Sequence, residues 1–232
     1  MTRGRTRPPA YDGVAAVKHL RQAHPRMAAL IDQVGPFTMT THALPPYEAL
    51  VQSIVYQQLN GRAAETILGR VLAIYAPKPF PAPGDILATD DALLRAAGLS
   101  RAKTAAVKSL AQHAIDDVVP TRAQAARLSN EALIERLTRV RGIGRWTVEM
   151  FLIFGLGRPD IWPALDFGVR KGLGLTFGKR GVPTPKQAML FGRKFSPYGS
   201  VAAWYFWRAC ELKPETAPPV VRKSKSAKSP RR

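Results

Sequence analysis

One acid and one turn are the residues of this chain best placed to do chemistry. From Ser129 to Arg170 it reads SNEALIERLTRVRGIGRWTVEMFLIFGLGRPDIWPALDFGVR. Two amphipathic runs flank Gly142-Ile143-Gly144, and a Pro-rich crossing then delivers Asp166 to the start of a further helix. Glycines at 142 and 144 permit a backbone turn that a Cβ would obstruct. The helix after them begins with free N–H groups and the positive end of its dipole facing outward, a site that takes a phosphate without reading bases. Arg141 and Arg145 flank it. Asp166 sits at a helix start, where the dipole stabilises its anion. On residue physics alone an N-cap is the commoner fate of such an Asp, and capping and chemistry can coexist. An anchor for nucleic acid followed by a lone acid points to chemistry on DNA.

Charge supports that direction. The 232 residues carry 35 Lys and Arg against 16 Asp and Glu, a net charge of +19. Residues 1–9 hold +3 of this and residues 213–232 hold +6, which leaves +10 on residues 10–212. A body so one-sided favours a polyanion, because neutralising phosphates releases condensed counterions. The single cysteine, Cys210, excludes an internal disulfide and any four-cysteine zinc or iron–sulfur site. Apolar runs such as MFLIFGLG are far short of a membrane span, and the opening MTRGRTRPPAYDG has no secretory pattern. The expectation is a soluble monomer in a reducing compartment, cytoplasmic and nucleoid-associated in a bacterium or nuclear in a eukaryote, without a membrane partner.

The elements that must position these residues read as helices throughout, an all-α fold. Leu133, Ile134, Leu137 and Val140 are spaced to pack one face before the turn, and Val148, Phe151, Leu152 and Ile153 are to be buried after it. Tyr11 to Val34 predicts one or two helices, with Pro25 between them or in the first turn of the second. Leu50, Val51, Ile54 and Val55 form the face of a strong helix that Asn60-Gly61 interrupts. Ser100 to Asp117 predicts another, with Ala102, Ala106, Leu110 and Ala114 as its stripe and Lys103 and Lys108 off it. No strand alternation is evident. Residues 1–10 are expected to be a basic flexible start and 11–212 one two-lobed domain. Residues 213–232 are expected to be a disordered basic arm that raises non-specific DNA affinity.

Together these residues resemble a family. Arg141-Gly142-Ile143-Gly144-Arg145-Trp146-Thr147, followed by Asp166, is similar to the helix-hairpin-helix DNA glycosylase superfamily. Tyr56-Gln57-Gln58-Leu59-Asn60, Gly98-Leu99-Ser100-Arg101-Ala102-Lys103 and Ser196-Pro197-Tyr198-Gly199-Ser200, ending in Trp207, extend the match over roughly residues 45–210. The likeness is to the alkylpurine branch, the DNA-3-methyladenine glycosylase II (AlkA-type) enzymes, in a short form without the N-terminal β-domain.

The resemblance implies a bilobal helical fold that flips a damaged nucleotide of double-stranded DNA into the cleft between lobes. It implies that Asp166 is the catalytic acid, and that Trp146, Trp207 and Met150 line the base pocket. Aromatic faces attract the cationic ring of an alkylated purine. Members with AP-lyase activity carry a Schiff-base lysine where Trp146 stands; an indole forms no imine, so hydrolysis to an abasic site is implied. Gln57, Gln58, Leu59 and Asn60 occupy the plug that fills the gap left by the flipped base. Gln58 aligns best with the wedge, and Leu59 or Asn60 follows on a one-residue shift. No cofactor and no iron–sulfur cluster is implied. A structural monovalent cation, sodium or potassium, would sit on the main-chain carbonyls of Thr138, Val140 and Gly142.

Two positions depart from the pattern: Gly199 stands where the long enzymes often have Arg, and Met150 where the best-known member is aromatic. Glu149 reads as a solvated or salt-bridged acid, and Trp204 as core. Two other readings stay open, a non-catalytic DNA-binding module and the same fold acting on deaminated or oxidised bases.

Overall fold

The computed structural model describes residues 6–212; the expected basic arm at 213–232 and the first five residues lie outside the described residues. Helices dominate. The first two are α1 (Gly13–Ala23) and α2 (Pro25–Val34), with Pro25 in the first turn of α2, where its missing N–H costs nothing. After them come α3 (Pro46–Tyr56), α4 (Gly61–Ala73), α5 (Pro83–Ala88), α6 (Asp91–Ala96), α7 (Arg101–Ile115), α8 (Arg122–Arg127) and α9 (Asn130–Leu137). The short α10 (Arg145–Met150) runs directly into a π-helical turn at Phe151–Gly155. The chain closes with α11 (Phe167–Phe177), α12 (Pro185–Gly192) and α13 (Gly199–Ala209).

Most starts follow the side chains written there. Asp12, Asn60, Asp90, Ser100, Thr121, Ser129, Asp166 and Thr184 each accept a backbone N–H of the first turn that follows, satisfying a donor that has no helical partner. In one lobe α3, α5 and α6 pack on α7; in the other α1 and α2 join α11, α12 and α13. The α10 segment and its π turn lie between, touching α9 and α3. One continuous apolar core links the halves, with Leu50, Ile54, Leu110 and Leu133 on one side and Phe195, Tyr205 and Phe206 on the other.

Two expectations are corrected. Thr6–Arg7, placed by sequence in a flexible start, pairs antiparallel with Thr41–His42, and the Thr41 hydroxyl donates to the Arg7 carbonyl at 3.1 Å. A strand pair two residues long has no alternation to read. The stripe of α7 is rotated: it buries Thr104, Ala106, Val107, Leu110 and Ala111, whereas Ala102 is exposed. The reason is that α7 is gripped by both α3 and α5, so its buried arc is set by two neighbours rather than one. Lys103 is consequently half-buried.

The tightest contact in the fold holds α11 against α13. A Cβ built on Gly172 would lie 1.9 Å from the Phe206 carbonyl oxygen, so only glycine allows these helices to approach. Gly172→Ala should therefore force the backbones apart and destabilise the protein by about 3 kcal/mol. Chemical denaturation is the check; a loss within the error of the parental value would show that the helices have room to separate.

Candidate active site

Asp166 is where three elements meet. It caps α11 with Oδ1, which accepts the Val169 N–H at 2.8 Å, and is 9% exposed. The same oxygen accepts the indole N–H of Trp207, on α13, at 2.9 Å. Oδ2 accepts the indole N–H of Trp146, on α10, at 2.7 Å. The cap and the convergence on a cleft residue are thus the same side chain. Oδ1 takes two donors and Oδ2 one, so Oδ2 keeps a free lone pair.

The hairpin follows its predicted packing: Leu133, Ile134, Leu137, Val140, Val148, Phe151, Leu152 and Ile153 are all buried. Gly142 has a φ of 80°, and a Cβ there would come within 2.8 Å of the Ala106 Cβ. Gly144 is different: its φ is −92° and nothing lies within 4 Å of a Cβ, so the turn itself does not require glycine there. The Arg145, Trp146 and Thr147 N–H groups that follow find no acceptor among the described residues. Ile143 turns inward and is buried, and the Arg141 N–H donates to the Ser109 hydroxyl.

Arg145 does not face outward as a free cation. Its guanidinium holds Glu131 through both terminal nitrogens, at 2.7 and 3.1 Å, and Glu149 through Nε at 3.0 Å. The hydrogen bonds it donates to Glu131 lead the effects that raise its pKa. Glu149 is accordingly the salt-bridged acid the sequence suggested, but a buried one, 4% exposed, whose Oε2 has no partner among the described residues.

Beside the hairpin opens a cleft of about 1590 Å³. Trp146, Met150, Phe151 and Phe154 form one wall, and Tyr56, Gln57, Gln58 and Leu59 belong to the other. Trp146 is 42% exposed there. Asp166 and Trp207 are not part of the wall: Trp207 stacks behind Phe154 with centroids 5.6 Å apart. Sequence reasoning missed Phe154, although Trp146, Met150 and Phe154 recur every four residues and so share a face. It also missed the tie across the cleft, where the Gln57 amide donates to the Gly142 carbonyl at 2.9 Å and lies 3.4 Å from the Thr147 hydroxyl. Asn60, one of the plug candidates, caps α4. Gln58 and Leu59 are exposed at the cleft.

The expected cation carbonyls are only partly available. That of Gly142 accepts from Gln57 and that of Val140 from the Ile143 N–H, whereas that of Thr138 takes no backbone donor among the described residues. A carbonyl oxygen has two lone pairs, so a cation could share the set. Among the described residues no group of His, Cys, Asp and Glu could hold a metal ion, and no helix is long and apolar enough to cross a membrane. The departure at Gly199 has a local cause. Asp160 accepts the Gly199 N–H at 2.9 Å and the Ser196 hydroxyl at 2.6 Å, and a Cβ on Gly199 would press on that carboxylate. Trp204 is core, edge-on to Phe37.

A hairpin with free N–H groups, an open cleft beside it and a carboxylate gathered by two indoles, one of them on the cleft wall, are the features of a DNA-processing site. Residues 51–197 match the family described as HhH-GPD superfamily base excision DNA repair protein, and the chain belongs to that superfamily. It is 41% identical over 173 residues to DNA-3-methyladenine glycosylase 1 of Schizosaccharomyces pombe, covering 75% of this chain and 76% of the relative. An alkylbase DNA glycosidase-like protein of the same yeast is 32% identical, over 85% of this chain and 93% of its own. Among solved structures, the S. pombe 3-methyladenine DNA glycosylase in complex with abasic DNA superposes with a TM-score of 0.79 at 38% identity, covering 85% of this chain and 97% of that one.

Burial raises the Glu149 carboxyl above its ordinary value of 4.5; the Arg145 contact opposes this, and the charges of Glu131 and Asp166 add to it. The native state therefore keeps the proton to higher pH than the unfolded chain does. The resulting stability is complete below the ordinary value and is lost as pH rises through the native pKa. Melting temperatures of the parent should accordingly fall relative to those of Glu149→Gln as pH rises from 4 to 7, on the order of the range where carboxyls titrate. Parallel curves would refute the sign.

Proposed function

We propose that the protein is a monofunctional DNA glycosylase that flips alkylated purines of the 3-methyladenine and 7-methylguanine type out of double-stranded DNA and hydrolyses their glycosidic bond. The observation that carries this reading is the Asp166 carboxylate gathered by Trp146 and Trp207 at the edge of an aromatic cleft. The free N–H groups after Gly144 hold a backbone phosphate, which fixes the duplex without reading its sequence. The flipped base enters against Trp146, Met150 and Phe154. An N3- or N7-alkylated purine carries a positive charge, and the indole face attracts it.

Chemistry then asks little of the leaving group. The C1′–N bond breaks with its electron pair passing to the purine, whose charge this neutralises. The sugar becomes cationic, and the remaining lone pair of Asp166 Oδ2 faces that charge. Oδ2 also orients the attacking water: its oxygen bonds to C1′ and its proton passes through Asp166 to solvent, leaving an abasic site. Trp146 forms no imine, so the strand is not cut. The reaction needs no cofactor. A monovalent cation on the Thr138, Val140 and Gly142 carbonyls would hold phosphate and stand outside the reaction.

Asp166→Asn should keep DNA affinity while lowering release of 3-methyladenine from methylated DNA by roughly two to three orders of magnitude. Single-turnover kinetics with chromatography of the free bases is the measurement. Release at the parental rate would sink the assignment, and no release by the parent across a lesion panel would favour a binding module instead.

A further inference from the structure

The loop between α3 and α4 is held from two sides by contacts that the reaction itself does not use. From α7, the Lys103 ammonium donates to the Val55 carbonyl at 2.7 Å and to the Gln57 carbonyl at 2.8 Å. Val55 lies in the last turn of α3, so the cation also sits at the negative end of that helix dipole. Lys103 makes no ion pair among the described residues, and burial lowers its pKa. Its charge is therefore directed to the two carbonyls. From the hairpin side, the Gly142 carbonyl and the Thr147 hydroxyl hold the Gln57 amide. Between these anchors Gln58 adopts a φ of 58°, the left-handed conformation that a residue with a Cβ keeps only where its surroundings impose it.

We propose that Lys103 is a positioning residue for the wedge: by binding the Val55 and Gln57 carbonyls it presets Gln58 and Leu59 in the conformation that enters the duplex as a base is flipped. The inference rests on the reading of this loop as the plug of a base-flipping enzyme. Its physical content is preorganisation. A side chain filling the vacated stack offsets the lost stacking only if the loop need not be ordered at that moment. Lys103 does not line the cleft, so its effect should appear only where flipping is costly.

The test compares one lesion in two settings, paired in a duplex and unpaired in a small bubble, under single-turnover conditions. Lys103→Met keeps the apolar stem and removes the donors. It should slow excision from the duplex roughly tenfold, the scale of lost hydrogen bonds to a charged group. In the bubble, where unpairing is already done, the loss should be under about threefold. Lys103→Arg, which still presents N–H donors, should recover most of the duplex rate, and 2-aminopurine beside the lesion should report weaker unstacking with Lys103→Met only. Lys103→Met combined with Gln58→Ala should be no slower than Gln58→Ala alone. Equal defects in both settings, or no defect in either, would overturn the role of Lys103 while parental excision upheld the glycosylase. Absence of parental excision from both substrates would overturn the two readings together.

Discussion

Three N–H groups from three helices meet on the Asp166 carboxylate, and much of the molecule exists to keep them there. Val169 comes from the helix that Asp166 caps, Trp207 from α13 and Trp146 from α10. Each donor depends on a different part of the fold. The close crossing at Gly172 sets α13 on α11 and so brings Trp207 within reach. The hairpin and the π turn set the direction of α10 and so bring Trp146. A carboxylate fixed in this way needs no reorganisation when positive charge develops beside it, and fixed dipoles and charges act most strongly where water is excluded.

The electrostatics of the hairpin follow a division of labour. Arg145, the residue nearest the anchor, is balanced by Glu131 and Glu149. What the turn leaves without a partner among the described residues is backbone N–H, a donor that is short, rigid and blind to sequence. Arg145 also links α9 to α10, so its ion pairs brace the hairpin that carries the anchor. Glu149 is the member of this network that burial strains, with one oxygen left unpartnered near Asp166.

The cleft joins two unlike walls. One is aromatic and sulfur-bearing, suited to a planar cationic ring; the other is a polar turn between α3 and α4. Gln57 connects them by reaching the hairpin, so the loop between α3 and α4 and the Gly142 turn belong to one hydrogen-bonded unit. A glutamine has both the length and the donor for this, whereas Leu59 or Asn60 in its place would lack one or the other.

What the sequence determined by itself is local. Helix starts were legible because caps act within three residues, and the hairpin because its apolar spacing and its glycine at 142 are read along the chain. Asp166 was legible as a helix cap. Tertiary structure decided everything that depends on which face meets which neighbour. It rotated the stripe of α7 and so turned Lys103 inward, paired Thr6–Arg7 with a distant segment, drew Arg145 to two acids and set Trp207 behind Phe154 rather than on the cleft wall. These contacts join residues far apart in the chain, as Lys103 and the Val55 carbonyl are at 48 positions. Periodicity says that a side is buried; only packing says against what, and therefore where an indole N–H or an ammonium will point.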